Sequence, residues 1–468
     1  MSDRDPHDPS MLPRRDLLRL GALGLGAAAT AGLGREVRAQ EASPAPDARP
    51  PEGLGPGPDE LFRNQPIDAL RVGFVGVGLQ GGAHVRNFLR LEGVEIVALC
   101  DIDGPRNEEV AGWVVDAGRP RPALYGRDDT DFVRMCETED MDLVFTATPW
   151  RWHVPVCVAA MRNGSHAATE VPAAYTLDGC WELVEVAEAE GRHCVMMENC
   201  NYDRPEMMVF HMARLGLFGE VLHAECGYLH DLRAIKFQDR NEGLWRRLHS
   251  IERNGNLYPT HGLGPVANVM DINRGDRFDY LVSMSSPSRG LQAWAREHYP
   301  EGHPKRAEEY ALGDVNVSLV KTANGRTIYV SHDTNLPRPY SRIHMVQGTK
   351  GLFQGYPNRV HIEGLSPDHR WEDWQTYLAE YDHPLWKDLE AMSEGGGHGG
   401  MDFLEDYRLV KCLREGLPTD MNVYDAAALS AVGPLSEWSV ANGSRPAPFP
   451  DFTRGGWQRW PRLEIVRA

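Results

Sequence analysis

The first half of the chain alternates between short apolar runs and segments with helical spacing. Apolar runs of strand length recur at residues 72–75, 94–99, 142–148, 166–171 and 193–200. Such runs are typical of strands that are buried on both faces of a sheet. The segments between them, including 154–163 and 177–190, have the apolar spacing of helices. The alternation predicts an α/β fold with a doubly wound, parallel Rossmann sheet over residues 67–200.

The pattern changes after residue 201. A helix is predicted at 205–215, and strands are predicted at 220–229, 280–284, 315–321, 327–332 and 343–347. Asn324-Gly325 lies between two of these strands, which indicates a tight hairpin. We therefore expect an α+β domain with a large, mostly antiparallel open sheet over residues 201–440. A helix at 401–415 belongs to it, and a tail, 441–468, is expected to pack back on the body.

The N-terminus has the pattern of an export signal. Arg14-Arg15 precedes an Ala/Gly/Leu run at 20–33, and Val37-Arg38-Ala39 offers a small-residue cleavage site. Paired arginines favour the twin-arginine type over residues 1–39, with the export machinery as a partner and a periplasmic location. A membrane anchor is the alternative, but the run is too short and too rich in Gly and Ala for stable insertion. Residues 40–66 predict a disordered linker.

Composition narrows the classes of partner. The chain has 49 Lys and Arg against 67 Asp and Glu, a formal net charge of −18. A charge of this sign opposes binding to nucleic acids and to anionic membranes. The eight cysteines show no CxxC pair and no metal-finger spacing, so buried thiols are expected and no metal site is predicted.

The clearest chemical motif is the glycine loop GVGLQG at 76–81, directly after the first strand. Gly76 permits the tight turn, Gly78 lets a pyrophosphate approach the backbone, and Gly81 lets helix and strand pack closely. Asp101 ends the second strand, 20 residues after Gly81, where an acid accepts a hydrogen bond from a ribose hydroxyl. An acid at this position favours NAD over NADP, so the motif predicts an NAD site.

One histidine is a candidate for proton transfer. Tyr258-Pro259-Thr260-His261 precedes a helical pattern, so His261 is expected in the first helical turn. The positive end of the helix dipole favours the neutral imidazole there, which suits a general base. A capping or structural histidine is the alternative. The glycine run 395–400 carries His398, and this run fits either an active-site closure or a linker.

Several segments together resemble glycoside hydrolase family 109, a branch of the glucose–fructose oxidoreductase and inositol dehydrogenase superfamily. The matching segments are GVGLQG, TPWRWH, TEVPAA, ENCNYDRPEMM, GYLHDLR, GNLYPTHGLGPVANVM, NRGDRFDYLVSMSS and GGGHGGMDF. They extend from about residue 70 to the C-terminus. The family's characterised activity is that of an α-N-acetylgalactosaminidase with tightly held NAD. Homo-oligomers formed through the open sheet are usual in the superfamily, so the resemblance implies one here.

The resemblance also implies roles for individual residues. NAD contacts would fall on Leu79, Gln80, Asp101, Trp150, Arg151, Trp152, His153, Glu170, Val171 and Asn199. Substrate contacts would fall on Tyr228, Arg247, Tyr258, Pro259, Thr260, His261 and Tyr340. His261 would act as the catalytic base with Tyr202 as its helper. The wider superfamily carries Glu-Lys-Pro where this chain has Glu170-Val171-Pro172, and the missing lysine counts against a simple dehydrogenase.

The resemblance implies a hydrolysis that uses NAD without consuming it. Oxidation at C3 of the sugar gives a 3-ketone, which acidifies the C2 hydrogen and permits elimination of the C1 oxygen. Addition of water and reduction at C3 then complete the cycle. The alternatives are an NAD-dependent sugar oxidoreductase acting at C3, hydrolysis of a related glycoside, and a non-catalytic nucleotide- or sugar-binding protein.

Overall fold

A computed structural model of the protein describes residues 62–464 and 466–468, which form two sheets and the helices around them. The first sheet has six parallel strands in the order β3-β2-β1-β4-β5-β6. Its strands are β1 (Leu70–Val75), β2 (Val94–Cys100), β3 (Ala123–Tyr125), β4 (Leu143–Thr146), β5 (His166–Thr169) and β6 (Cys194–Met196). This order is that of a doubly wound sheet and confirms the predicted Rossmann fold.

The helices between these strands cover both faces of the sheet. They are α1 (Leu79–Leu89), α2 (Gly104–Asp116), α3 (Phe132–Thr138), α4 (His153–Arg162) and α5 (Leu177–Glu190). Phe74 of β1 packs edge-on against Phe88 of α1, with ring centroids 5.2 Å apart. Phe145 of β4 stacks on Phe74 at 5.4 Å. This buried aromatic contact fixes α1, and so the glycine loop before it, against the sheet.

The second sheet is mixed and mostly antiparallel, as predicted. Its strands are β7 (Val221–Leu229), β8 (Phe278–Ser285), β9 (Val315–Thr322), β10 (Thr327–Asp333), β11 (Met345–Gly348), β12 (Gly351–Gln354), β13 (Arg359–Ile362), β14 (Glu372–Asp373) and β15 (Ala447–Pro448). They lie in the order β14-β13-β12-β11-β7-β10-β9-β8-β15, and only β7 and β10 pair in parallel. The predicted hairpin joins β9 to β10, and Gly325 at its turn has a φ of 88°.

The remaining helices connect and flank the two sheets. They are α6 (Arg204–Arg214), α7 (Arg233–Lys236), α8 (Arg246–Glu252), α9 (Thr260–Val269), α10 (Gly290–His298), α11 (Gln375–Tyr381), α12 (Pro384–Ser393), α13 (Met401–Glu415) and α14 (Val423–Ala441). α13 packs on α1 of the first sheet, which brings the C-terminal region to the glycine loop. The pattern did not predict α14, because this helix is buried on nearly all sides and contains Pro434.

Structure at the two ends of the chain refines the predicted boundaries. The predicted export signal and residues 40–61 of the predicted linker lie outside the described residues. The linker was predicted to continue to residue 66, but Phe62 is buried, with its ring 5.9 Å from that of Tyr424. Phe62 therefore belongs to the packed body rather than to a linker. At the other end, β15 pairs with β8, and the ring of Trp460 lies 4.7 Å from that of Tyr424.

Two further observations bear on the sequence predictions. All eight cysteines are buried and none forms a disulfide, as the spacing indicated. In the part of the chain that the structure describes, no helix has the length and apolarity that a membrane span requires.

Candidate active site

The glycine loop has the shape that a dinucleotide requires. Gly76 has a φ of 81°, a conformation that L side chains rarely adopt. A Cβ atom at Gly81 would collide with the carbonyl oxygen of Gly76, whereas one at Gly78 would meet nothing within 4 Å. The loop is therefore tight at both ends and open in the middle. The open side of Gly78 lies at the N-terminus of α1, where the helix favours a phosphate.

Asp101 supports the same loop from the end of β2. Its carboxylate accepts a hydrogen bond from the Val77 N–H at 2.8 Å and one from the Asp103 N–H at 2.9 Å. Each oxygen keeps a second lone pair that can accept from a ribose hydroxyl. The sequence prediction did not include Arg106, whose guanidinium donates to the carbonyls of Val77 and Gly78, each at 2.8 Å. These contacts hold the glycine loop rigid. The residues around the loop therefore suit the binding of NAD.

The predicted segment Trp150–His153 splits into residues with different surroundings. Trp150 is buried, and its ring stacks on that of Tyr258 with centroids 5.7 Å apart. His153 ties β4 to β5, because its ring nitrogens contact the Thr148 and Pro172 carbonyls at 2.8 Å. The other two residues face elsewhere: Arg151 pairs with Asp129, and Trp152 packs edge-on against Phe132. Trp150 thus links the predicted cofactor residues to the predicted sugar residues.

Helix α13 holds two other predicted cofactor residues directly, and it reaches a third, Glu170, through His84, which contacts Asp406 of α13. Asn199 donates to Asp402 at 2.7 Å, and Gln80 donates to the same carboxylate at 3.4 Å. Glu170 accepts from the Val171 N–H at 3.2 Å and contacts a buried histidine, His84, at 2.8 Å. Val171 itself is buried. Helix α13 therefore helps to fix side chains from three separate parts of the first domain: Gln80 on α1, Glu170 after β5 and Asn199 after β6.

His261 lies at the start of α9, in the first turn as predicted, and is paired with a glutamate. Its Nδ1 lies 2.7 Å from Oε1 of Glu198, which follows β6 and is fully buried. Burial alone would raise the pKa of Glu198, but the charge and hydrogen bond of His261 outweigh it and hold that pKa below its usual value. The ionised carboxylate orients Nδ1–H toward itself and leaves Nε2 as the basic atom. No role was predicted for Glu198, although it lies among the polar residues near the end of a predicted strand.

Aromatic side chains surround this pair. The ring centroid of Tyr228, at the end of β7, lies 5.4 Å from that of His261, and the ring centroid of Tyr258 lies 4.9 Å from that of His261. Tyr340 contacts Tyr228 at 6.0 Å. Burial raises the pKa of all three phenols, which keeps them protonated as hydrogen-bond donors. The structure therefore brings four of the predicted substrate residues together.

Two other predicted substrate residues, Pro259 and Thr260, lie at the start of α9, directly before His261. Pro259 precedes α9, and its carbonyl accepts from the Leu263 N–H at 3.0 Å. Thr260 is the first residue of the helix and is fully buried. Both residues set the position of His261.

Arg247 was predicted to contact the substrate, but in the structure it is the neighbouring residue, Arg246, that lies beside Tyr258 and Trp150. The guanidinium of Arg247 pairs with Glu308 and lies 5.8 Å from the ring of Phe237, away from His261. Arg246 instead lies 5.0 Å from the ring of Tyr258 and 5.3 Å from that of Trp150. Successive residues of a helix point in different directions, and sequence alone did not show which of the two arginines faces the site.

Tyr202 lies apart from His261. Its hydroxyl donates to Asp420 at 2.9 Å, and Asp420 is also paired with Arg408 at 2.8 Å. Its ring belongs to a hydrophobic cluster with Leu385 and Trp386. The structure therefore does not place the hydroxyl of Tyr202 where it could assist His261 directly.

A second imidazole, that of His398, comes from the glycine run. Gly397, Gly399 and Gly400 all have positive φ, which shapes a tight loop before α13. Nδ1 of His398 lies 2.8 Å from Asp402, and 57% of its side chain is exposed. The hydrogen bond to Asp402 raises the pKa of His398. This imidazole is thus accessible to solvent and is hydrogen-bonded to the same carboxylate that holds Asn199 and Gln80.

One group of side chains has the composition of a metal site. Glu198, Cys200 and His261 each place one ligand-type atom within 4.8 Å of the others. The hydrogen bond between Glu198 and His261 accounts for their proximity. Burial raises the pKa of Cys200, and Arg342 donates to its sulfur at 3.4 Å. A neighbouring guanidinium disfavours a bound cation, and the absence of a metal stays a prediction.

Comparison with known proteins matches two families to successive parts of the chain. Residues 70–198 match the family described as "Oxidoreductase family, NAD-binding Rossmann fold". Residues 202–459 match "Glycosyl hydrolase 109, C-terminal domain", more than half of the chain. The chain belongs to glycosyl hydrolase family 109. It is an enzyme of that family with an NAD-binding domain, and its cofactor is NAD.

Curated relatives of this family 109 enzyme agree over nearly its whole length. A glycosyl hydrolase family 109 protein of Solibacter usitatus is 49% identical over 452 residues, which cover 95% of this chain and 98% of the relative. A glycosyl hydrolase family 109 protein of Shewanella pealeana is 46% identical over 460 residues, which cover 97% of this chain and 99% of the relative.

Solved structures show a similar fold at low identity. A levoglucosan dehydrogenase in complex with NADH and L-sorbose has a TM-score of 0.61 and 19% identity, covering 82% of this chain and 100% of that one. Apo scyllo-inositol dehydrogenase from Lactobacillus casei has a TM-score of 0.58 and 12% identity, covering 82% and 99%. These similarities confirm the fold of the family 109 enzyme.

Proposed function

We propose that this enzyme hydrolyses terminal α-N-acetylgalactosamine, or a closely related glycoside, by the internal redox cycle that its family resemblance implies. The observation that carries the proposal is the contact between the two halves of the site. Trp150, from the cofactor segment, stacks on Tyr258, which lies 4.9 Å from the imidazole of His261. A sugar bound against these rings would have its reacting carbons between the cofactor edge and a base.

When bound, NAD supplies a hydride acceptor for C3 of the sugar and later returns the hydride, so that no cofactor is consumed. The 3-ketone makes the C2 hydrogen acidic enough for a base of ordinary strength. The protein must therefore bind the sugar, accept a proton and protect the intermediate from bulk water.

His261 performs the proton abstraction in this proposal. Its Nδ1 is committed to Glu198 at 2.7 Å, so Nε2 is the atom that accepts the proton. The buried Glu198 carboxylate stabilises the imidazolium that forms. Glu198 therefore acts on the reaction through His261. In this proposal Glu198, and not Tyr202 as predicted, is the residue that assists His261.

His398 supplies the opposite function. Its pKa is raised by the hydrogen bond to Asp402, which favours the protonated form near neutral pH. An exposed, protonated imidazole can donate to the oxygen that leaves C1. The positive-φ glycines around it allow the loop to place the ring over a bound sugar.

Sugar recognition falls to the tyrosines and to Arg246. The phenols of Tyr228, Tyr258 and Tyr340 can donate to sugar hydroxyls or to the acetamido carbonyl. Arg246 is fixed by Glu242 at 2.8 Å and lies 5.0 Å from the Tyr258 ring, so its donors are preorganised. Aromatic faces beside the donors suit the apolar face of a sugar ring.

The location and assembly of the enzyme are further proposals. The paired arginines of the N-terminal segment support export by the twin-arginine route to the periplasm. Met284 and Leu319 lie on neighbouring strands of the second sheet, and both are exposed: 58% of the surface of Met284 and 55% of that of Leu319 is accessible. Apolar residues on an open sheet face support a homo-oligomer.

The test is a set of chromogenic glycosides with no cofactor added. We expect release from p-nitrophenyl α-N-acetylgalactosaminide and none from its 3-deoxy analogue, because C3 of the analogue has no hydroxyl to oxidise. Equal hydrolysis of both would contradict the redox cycle. In a second assay with NAD⁺ added in excess as the electron acceptor, absorbance at 340 nm that grows with turnover, without release of nitrophenol, would favour the sugar oxidoreductase instead.

A further inference from the structure

A buried histidine links the cofactor edge of the first sheet to helix α13. His84 lies on α1, just after the glycine loop, and only 1% of its side chain is exposed. Its Nε2 contacts Oε1 of Glu170 at 2.8 Å. Its Nδ1 contacts both carboxylate oxygens of Asp406, at 2.8 and 2.9 Å. The three side chains form a continuous chain from α13 to the end of β5.

A charged imidazole satisfies both contacts of His84. A neutral histidine carries one N–H and cannot donate to two carboxylates at once. Burial favours the neutral form of His84, but Asp406 and Glu170 outweigh it and raise its pKa well above the usual value. Asn87 donates a further hydrogen bond to Asp406 at 2.9 Å, which fixes that carboxylate. When all three side chains are ionised, the negative charge of Asp406 balances the positive charge of His84. The group then keeps one net negative charge, which belongs to Glu170.

Of these three side chains, that of Glu170 is the most exposed and lies at the cofactor edge of the sheet. Its side chain is 18% exposed, compared with 1% for His84 and 0% for Asp406. It follows β5, at the carboxyl ends of the parallel strands, where such sheets bind their ligands. Two other acids face the same region from α13. Asp402 is paired with His398, and burial raises the pKa of Glu405 well above its usual value, which keeps Glu405 neutral.

We propose that His84 is a positioning residue that holds Glu170 as a fixed negative charge at the nicotinamide end of the NAD site, so that the enzyme binds NAD⁺ in preference to NADH. The nicotinamide ring is positive in NAD⁺, and the hydride added on reduction removes that charge. A carboxylate nearby therefore stabilises the oxidised form more than the reduced form. The bias would favour return of the hydride to the sugar. It rests on NAD binding and not on which glycoside is cleaved.

The experiment equilibrates the purified holoenzyme with a redox buffer of known potential and follows bound NADH at 340 nm. Replacing Glu170 with Gln keeps the shape and removes the charge. We expect E170Q to shift the bound NAD⁺/NADH equilibrium by about tenfold toward NADH, which is about 30 mV for two electrons. H84Q and D406N should shift it in the same direction by a smaller factor, because Glu170 loses its fixed position. No glycoside is needed, so the outcome is independent of the proposed hydrolysis.

The control is H166Q. His166 is also a buried imidazole of β5, but it lies at the opposite end of the strand, where it accepts from the His193 N–H at 3.0 Å. We expect H166Q to leave the equilibrium unchanged, since it cannot alter charge at the cofactor edge. An unchanged equilibrium in E170Q would overturn the proposal. A shift in E170Q but in neither H84Q nor D406N would show that Glu170 acts without His84, and D406N decides this if H84Q does not fold.

Discussion

The two ends of the site differ in how the chain builds them. The cofactor end is local: the glycine loop, α1 and Asp101 lie within about 30 residues and are joined by contacts such as the Val77–Asp101 hydrogen bond of 2.8 Å. The sugar end is assembled from distant segments, because His261 pairs with Glu198, 63 residues away, and Tyr340 joins from after β10. A local site depends on backbone shape, whereas an assembled site depends on which way each side chain turns.

The largest expected effect is at the assembled end. Replacing His261 with Ala removes the proposed base, and a base of this kind contributes about 10²–10⁴-fold to the rate. We expect kcat to fall by about 10³-fold while bound NAD is retained, as measured by kinetics and by absorbance of the released cofactor. Turnover within twofold of the wild type would contradict the role of His261.

The next effect tests the local end. A Cβ at Gly81 would collide with the Gly76 carbonyl oxygen, so we expect Gly81→Ala to weaken NAD binding by about 100-fold, or about 2.7 kcal/mol. Gly112 of α2 is the matched control, because a Cβ there meets nothing within 4 Å. Gly112→Ala should leave NAD affinity unchanged, as measured by calorimetry. Equal loss in both variants would show that the loop geometry does not decide binding.

The two adjacent arginines give a direct comparison of side-chain direction. Arg246 lies 5.0 Å from the Tyr258 ring, whereas Arg247 is paired with Glu308. We expect Arg246→Met to raise KM by about tenfold, the loss of about one charged hydrogen bond. Arg247→Met should change KM by less than about twofold, and its effect should appear in thermal stability. The reverse order of KM effects would return the substrate role to Arg247.

The pH profile tests the second imidazole. The Asp402 hydrogen bond raises the pKa of His398, so an acid function is present below that pKa and is lost as pH rises through it. Asp402→Asn removes the charge that stabilises the imidazolium. We expect the alkaline limb of kcat to move down by about one pH unit. A limb that stays in place would assign the acid to another group.

The smallest effect is expected at Tyr202. Its hydroxyl donates to Asp420 at 2.9 Å and does not reach His261. Tyr202→Phe should keep kcat within about twofold and cost about 1 kcal/mol of folding stability, the worth of one hydrogen bond. A large loss of kcat with normal stability would restore Tyr202 as the catalytic helper.

Sequence reasoning succeeded where the physics is local. The doubly wound parallel sheet, the hairpin at Asn324-Gly325 and helix α13 follow from periodicity and turn chemistry. It failed for α14, whose apolar surface has no periodic stripe, and for the choice between Arg246 and Arg247, which depends on tertiary packing. Glu198 was visible at the end of a predicted strand, but only the fold brings it to His261.

The central claim is that proton removal by His261 takes part in a redox cycle through a 3-ketone. The most direct measurement is NMR of the sugar released from p-nitrophenyl α-N-acetylgalactosaminide in deuterated water, with no cofactor added. We predict deuterium at C2 of the released sugar, since the abstracted proton exchanges with solvent before the cycle closes. Hydrolysis with the C2 proton fully retained would contradict the account and would indicate direct displacement at C1.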